Sequence, residues 1–508
     1  MIDTKALRQK ILDMAIKGKL VPQDPNDEPA SVLLEHIRAE KQQLIKEGKI
    51  KKDKNDSVIF KGADNRYYEN LPCGWKICGV SDITNLRTGA TFDKANVLLS
   101  SKNEGIRVLR GGNISTYKID FRVDDIFIPT AIVNPSIYVQ QYDIITPAVT
   151  SLENIGKMAR VHTKPTSNYT VGGFVYLLTP LFYNNTFSKF LLYQFTSTWF
   201  IRQLQAIAKK SGAAFYNINK TKFNELPVFI PPLAEQARIV NRVEELFTQI
   251  DAIEQNQADI DTLYDEFRKR TLTLAIQGKL VPQDSNDEPA SVLLERIRAE
   301  KKAKLGKKFV DSYIYKGDDN CYYEHIAGRA QDEQAEVPFD IPDNWAWVRW
   351  GNLSFSIQYG YNAPAKESGR IKMVRISDIH NNEVDWEHVP FCDINETDIK
   401  TYLLKENDIL FARTGGTVGK SYLVTCVPEE AIYAGYLIRT QYSAQLSAQY
   451  LKYFMESSLY WMQLKDGTIA TAQPNCNGQT LSKMILPLPP LAEQKRIVAK
   501  INEIFAML

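Results

Sequence analysis

Along one stretch of this 508-residue chain the apolar positions step by alternating fours and threes: Ile239, Val243, Leu246, Ile250, Ile253, then Ile260, Tyr264, Phe267 and Leu274, with Gln257 and Thr271 the polar interruptions. This is the stripe of a coiled-coil helix sustained for about five heptads. It predicts one helix over roughly 233–277, a rod on the order of 65 Å long. The stripe recurs in two pieces at the chain ends. Ile497, Ile501, Ile504 and Leu508 repeat its first part, and Thr4, Leu7, Ile11 and Met14 its last. Joined end to end they rebuild a second rod that lacks only the equivalent of 251–260, about 15 Å of helix. The expectation is a pseudo-twofold chain with neighbouring termini and antiparallel rods that carry the subunit interface.

The material between the rods is also written twice. AIKGKLVPQDPNDEPASVLLEHIRAEK (15–41) returns at 275–301 with changes only at Lys17/Gln277, Pro25/Ser285 and His36/Arg296. DSVIFKGADNRYYE (56–69) answers DSYIYKGDDNCYYE (311–324), LPCGW (71–75) answers IPDNW (341–345), and PPLAEQARIV (231–240) answers PPLAEQKRIV (489–498). Gly18 and Gly278 predict the ends of the rods. Pro29 and Pro289 predict the first turn of a second helix, whose apolar face is expected to pack on the rod or on a partner.

Composition is that of an ordinary globular chain, 44% hydrophobic and 24% charged with a net charge of +2. The local balance is more informative. Residues 71–230 hold 17 Lys+Arg against 9 Asp+Glu, whereas 341–488 hold 13 against 15. Nucleic-acid binding is encouraged by the first half and must rest on a local patch in the second. The six cysteines form no CxxC pair and lie apart from the five histidines. Neither a zinc site nor a disulfide framework is indicated, and reduced thiols suit a cytoplasmic protein. The N-terminus reads as a charged amphipathic helix rather than a signal sequence, and no run approaches the roughly 18 apolar residues of a membrane span.

Catalytic motifs fail on inspection. RTGGTVGKS (413–421) has Thr414 where a P-loop needs its first glycine, and VNPSIY (133–138) departs at Ser136 from the NPP[FY] loop of amino-methyltransferases. No catalytic residue and no metal ligand set is expected; the chain reads as a binder. Its candidate readers lie at matched places in the two halves. Arg110 and Asn113 answer Arg375 and Asp378, with Lys118 beyond the first pair. A strand-to-loop segment follows in each half, DIITPAVTSLENIGK (143–157) with Lys157 and DILFARTGGTVGK (408–420) with Arg413, Thr414 and Lys420. Last come AFYNIN (214–219) with Asn217 and AQPNCN (472–477) with Gln473 and Asn475. Guanidinium, amide and hydroxyl groups can bond base edges, and lysines can reach phosphate. The alternatives are structural: ion pairs at strand ends for Arg110 and Arg375, and turn capping for Asn219 and Asn477.

PPLAEQxRIV closing a variable domain and opening a coiled-coil helix, twice in one chain, resembles the specificity subunits of type I restriction-modification enzymes. The resemblance implies an α+β chain of two tandem α/β target-recognition domains separated by long antiparallel coiled-coil helices. The domain order would be 1–20 as the N-terminal half of the split helix, 21–70 as repeat helix and linker, and 71–230 as the first recognition domain. The central helix would take 231–280, a second repeat helix and linker 281–337, the second recognition domain 338–488, and the C-terminal helix 489–508. Each recognition domain would read half of a bipartite double-stranded DNA site. The helices would set the spacing and dock two modification subunits for adenine methylation, and restriction subunits would add cleavage. The chain itself would hold no cofactor; S-adenosylmethionine would sit in the modification subunit, ATP and Mg in the restriction subunit. The VPQDPNDEPASVLLE blocks depart from the shorter family pattern. A coiled-coil scaffold whose domains bind proteins is the competing expectation, favoured by the acidic balance of 341–488.

Overall fold

The long stripe folds as a single helix of 44 residues, Leu233–Ile276. Pro231 and Pro232 precede it, and the Gln236 side-chain amide turns back to donate to the Pro231 carbonyl at 2.9 Å. At its far end Gly278 adopts φ +69°. The Lys279 N–H then reaches the Leu274 carbonyl at 2.9 Å and the Gly278 N–H that of Ala275 at 3.3 Å, which is the Schellman closure of a helix. Gly18 ends the N-terminal helix Thr4–Ile16 with the same pair of bonds. A Cβ at Gly18 or Gly278 would stand 2.4 or 2.5 Å from Pro72 or Pro342, so both the turn and the close approach require glycine.

The computed structural model describes residues 2–50, 71–98, 105–211, 214–380, 382–467 and 476–507. Contacts divide the chain into two units, 1–258 and 259–508, with the boundary inside the long helix. In the first unit Ile11, Leu12 and Ala15 of the N-terminal helix share a core with Ile239, Val240, Val243 and Ile250. Arg8 meets Asp251 and Glu254, whereas Asp27, beyond the end of the short helix, meets Arg238, so the two helices run in opposite directions. In the second unit Ile497 and Ile501 of the C-terminal helix Leu491–Ala506 share a core with Leu272, Ala275 and Ile276. Arg268 lies over the Phe505 ring at 4.0 Å while Gln283 bonds Glu493 at 2.7 Å, again an antiparallel pair.

The seam is thus covered at its two ends. Leu246, Ile253 and Ile504 are half-buried, and Ile260 and Phe267 are 46% and 48% exposed. Leu508 lies outside the described residues.

Three sheets recur in both units. An antiparallel pair closes the domain where the chain enters and leaves it, Lys76–Gly79 with Pro227–Ile230 and Ala346–Arg349 with Ile485–Leu488. A four-stranded antiparallel sheet follows, in the order Thr84–Thr88, Val175–Pro180, Ile144–Pro147, Ala159–Arg160. Its counterpart is Ser354–Tyr359, Leu437–Tyr442, Ile409–Ala412, Ser421–Leu423. A three-stranded sheet with one parallel pairing completes each, Tyr169–Val171 on Gly105–Leu109 and Ala431–Tyr433 on Ile371–Val374. Ile144–Pro147 and Ile409–Ala412 are buried at every position, as expected of a strand covered on both faces.

Two sequence expectations change here. The helix inside each repeated block, Ala30–Lys46 or Ala290–Leu305, packs on the core of its own recognition domain, a core that in the second unit also takes in Leu272, Ala275 and Ile276 of the rod. Leu33 and Ile37 join Ile83, Leu226 and Val228, and Leu293 and Ile297 join Trp347, Trp350 and Leu481. Amphipathicity had shown that one face is buried without showing against what. Part of the segment read as linker, 311–337, forms an antiparallel sheet of Ser312–Lys316, Tyr322–Ile326 and Glu333–Gln334. It is fastened by Arg349, whose guanidinium donates to Glu324 at 2.7 and 2.6 Å. The first copy of that motif, 56–69, lies outside the described residues.

The repeated blocks clamp the PPLAEQ turn. Trp75 Nε1 donates to Glu235 at 2.8 Å, and Trp345 Nε1 to Glu493 at 2.9 Å. Both carboxyls are buried, which pushes their pKa values up against the opposing tryptophan bond. Arg238 forks onto Asp27 and Arg496 onto Asp287. The backbone N–H of Ala30 donates to Gly74, and that of Ala290 to Asn344, each at 2.9 Å. Near identity of the two copies follows from a demanding contact made twice within the chain.

Candidate nucleic-acid interface

The buried strand Ile144–Pro147 delivers the first candidate loop. Ala148 leaves the sheet and accepts from the Ile218 N–H at 2.9 Å. Val149–Thr150 then pairs with Phe215–Ile218, which pairs with Ala208–Ser211. The register sets Asn217 between Val149 and Lys209. The strand-to-loop segment and the AFYNIN segment, far apart in sequence, therefore form one small rim. Asn217, Lys209 and Lys210 are exposed on it, and Lys157 at the loop's end is half-buried. Gly156 has φ +92°, and a Cβ there would stand 2.5 Å from Ile201, so the loop is held against the helix Thr198–Ile207.

The described residues of the second unit repeat one bond of this rim. Arg413 follows the buried strand Ile409–Ala412, and its carbonyl accepts from the Cys476 N–H at 2.9 Å. This is the bond that Ala148 and Ile218 make in the first unit. The Arg413 guanidinium lies over the Tyr359 ring at 4.7 Å. Thr414 is half-buried, and Lys420 is exposed. Gly419 at φ +90° leaves no room for a Cβ, 2.1 Å from Leu464, whereas Gly415 and Gly416 face open space. Gln473 and Asn475 lie outside the described residues.

Arg110 and Arg375 occupy equivalent turns. The Arg110 N–H donates to the Asn113 side chain and the Arg375 N–H to Asp378, each at 2.8 Å. Asn113 is 1% exposed, and its amide nitrogen is committed to the Asp120 carbonyl and to Asp125. The expectation of an Asn113 that reaches a base therefore gives way to a buried turn-former that positions Arg110. Arg375 bonds the Asp378 carboxylate at 2.7 Å, which holds its pKa up. Arg110 is freer: its side chain is 47% exposed and stands 3.6 Å from Asp124. Lys118 is exposed beside Asp120 at 2.8 Å. Asn219 and Asn477 cap the short helices Lys220–Asn224 and Gly478–Lys483, the structural alternative named for them.

Beneath each loop lies a buried carboxyl. Asp143 is pushed up to about 6 by burial, opposed by Arg87 at 3.9 Å. Asp408 is likewise raised by burial and opposed by Arg439 at 3.5 Å. Among the described residues no three His, Cys, Asp or Glu side chains gather as a metal site, and no helix is long and apolar enough to cross a membrane. What the arrangement offers is a surface of arginine, lysine, amide and hydroxyl groups on two rigid strand ends, a hydrogen-bonding face rather than a reaction centre.

Lys209 and Lys210 were missed from sequence. They sit in a strand of four residues, too short for a period, and only pairing with Phe215–Ile218 reveals their place.

The family model of the type I restriction modification DNA specificity domain matches residues 72–262 and 359–507. The chain is similar to the type I restriction enzyme EcoAI specificity subunit of Escherichia coli, 29% identical with 98% of this chain and 88% of that one covered. It is also similar to the EcoEI specificity subunit of Escherichia coli, 26% identical over 99% of this chain and 89% of that one. A solved chain described under complex assembly and conformational transition of the type I R-M system has the same fold, with a TM-score of 0.54, 17% identity, and 86% and 91% of the two chains covered.

Proposed function

The chain belongs to the type I restriction-modification DNA specificity family, and on that premise we propose that it is the non-catalytic subunit that chooses the DNA sequence for such an enzyme. Each recognition domain reads one half of a bipartite double-stranded site through its strand-end loop. The helices fix the unread spacing and dock two modification subunits, which methylate adenine with S-adenosylmethionine. Restriction subunits bind the assembly and supply ATP- and Mg-dependent cleavage. Two domains on one chain multiply modest affinities when the spacer fits, because the second contact is intramolecular.

The observation that carries this reading is the loop pair tied by one backbone bond in both units, Ile218 to Ala148 and Cys476 to Arg413, each at 2.9 Å. Side chains on that shared frame differ: Ala148 and Val149 in one unit stand where Arg413 and Thr414 stand in the other. A constant frame with exchanged side chains is what reading two different half-sites requires.

The test is to purify the chain with its modification subunit and map protected and methylated DNA. A two-part site with adenine methylation is expected. Binding that ignores salt, or protection of no two-part site, would sink the proposal in favour of a protein-binding scaffold.

A further inference from the structure

Between the parallel-paired strand Tyr169–Val171 or Ala431–Tyr433 and the next strand, Val175–Pro180 or Leu437–Tyr442, the chain makes a four-residue turn, Gly172-Gly173-Phe174-Val175 in the first unit and Ala434-Gly435-Tyr436-Leu437 in the second. Each is closed by a backbone bond of 2.9 Å, Val175 to Gly172 and Leu437 to Ala434. Neither turn has slack. A Cβ at Gly173 would stand 3.0 Å from the Thr91 hydroxyl, and one at Gly435 would stand 1.8 Å from the Asn362 side chain. The residue after the glycine is in both cases a large aromatic aimed at solvent. Phe174 is 73% exposed and Tyr436 is 65% exposed. Neither ring has a ring–ring or cation–π contact among the described residues.

The two turns are also bonded to the candidate loops. The Ala148 N–H donates to the Phe174 carbonyl at 2.8 Å, and the Arg413 N–H to the Tyr436 carbonyl at 3.1 Å. Each aromatic is thus fixed beside the first residue of the loop that leaves the buried strand. One exposed ring is ordinary on a protein surface; the same exposed aromatic on the same turn, tied to the candidate loop in both units, is what points to a partner. Exposed Lys209 and Lys210 on one rim, and Lys420 on the other loop, supply positive charge on the elements to which the rings are tied.

We infer that Phe174 and Tyr436 are the apolar DNA contacts of the two recognition domains, each laying its ring on bases of its own half-site while the neighbouring loop makes the polar contacts. The inference rests on the proposed function and deepens it. A duplex offers apolar surface at the thymine methyl in the major groove, and at a base step that an apolar wedge partly unstacks. Such a contact releases no counterion, so it adds affinity without adding salt dependence.

The experiment uses the full chain in complex with its modification subunit, on a duplex carrying the mapped site and on duplexes with one half scrambled. Phe174→Ala should lose roughly tenfold or more in affinity and methylation through one half-site, and Tyr436→Ala through the other. The slope of log affinity against log salt should stay at the wild-type value in both, and Phe174→Tyr and Tyr436→Phe should retain most binding. Unchanged recognition in both alanine variants, an equal loss at both halves from either, or release of the modification subunit would overturn the inference. The last result would assign the rings to a protein contact. A wild-type complex with no two-part site would instead sink the proposed function, so the two failures are distinguishable.

Discussion

Asp143 and Asp408 stand at the same place, just before the buried central strand of their units, yet their arginines come from different strands. In the first unit Arg87 lies on Thr84–Thr88 and faces Leu177 across the ladder. In the second the residue at that position is Gln358, and the arginine is its cross-strand neighbour, Arg439. The cation has moved one strand while the carboxyl stayed. Each arginine also ties down a different segment: Arg87 bonds the Ser136 carbonyl, whereas Arg439 donates to the carbonyls of Leu403 and Thr401 at 2.6 and 2.8 Å and to Gln358 at 2.7 Å. The lesson is that the buried charge is part of the frame and its counterion adapts to whichever variable segment must be anchored.

The sharpest way to break this comparison is to remove the cations. Arg439→Met strands a buried carboxylate and three acceptors, and should cost about 3–5 kcal/mol in urea unfolding of the full chain. Arg87→Met should cost less, because Arg87 stands farther from its carboxyl, 3.9 against 3.5 Å, and leaves two acceptors, Ser136 and Thr179, rather than three. Equal losses would show that the two arrangements are energetically the same. Moving the arginine back, with Gln358→Arg added to Arg439→Leu, should recover part of the loss only if strand position is interchangeable.

The raised Asp143 pKa gives the next largest effect. The folded value of about 6 lies above the ordinary aspartate value of 3.8, so the folded chain binds the proton more tightly than the unfolded one. Stability from this group is full below the unfolded value and falls as pH rises through about 6. Between pH 4 and 7, wild type should lose on the order of 2 kcal/mol relative to Asp143→Asn. Parallel stability curves for the two proteins would remove Asp143 as the titrating group.

The clamps should behave oppositely, with the two units alike. Trp75→Phe leaves Glu235 short of a donor, and Trp345→Phe does the same to Glu493. Each should cost about 1–2 kcal/mol, because the bonds are 2.8 and 2.9 Å at matched buried carboxyls, Glu493 also keeping the Gln283 amide at 2.7 Å. A large difference between the variants would mean that the two copies of the block are not equivalent supports.

How much of this was legible in sequence depends on the range of the signal. The long helix, its glycine ends and the two-unit plan rest on periods and punctuation spread over many residues, and they survive in the structure. The block helix was expected on the rod or a partner, and the recognition-domain core it joins was not foreseen, since a stripe of Leu33 and Ile37 fits any apolar surface. The rim that joins Val149–Thr150 to Phe215–Ile218 was invisible because strands of two and four residues carry no period. Asn113 misled for a chemical reason: an amide suited to adenine is equally suited to close a turn, and burial decides between them. Phe174 and Tyr436 were in view as an aromatic after glycine in both halves, but only their exposure separates them from the core.

The smallest expected effect tests the two matched arginines. Arg375 has its guanidinium on the Asp378 carboxylate at 2.7 Å, whereas Arg110 donates to the Asp124 carbonyl at 3.2 Å and stands 3.6 Å from that exposed residue's carboxylate. A guanidinium that must first leave a carboxylate returns less of its bond energy to DNA than one already near water. Arg110→Ala should therefore weaken its half-site by roughly tenfold, and Arg375→Ala the other by roughly twofold, both read as methylation of duplexes with one half altered. If Arg375→Ala proves the more damaging, its pair with Asp378 is a preset geometry for base contact rather than a competitor. Asp378→Asn then distinguishes the two cases: it should strengthen binding where the carboxylate competes and weaken it where the carboxylate aims the guanidinium.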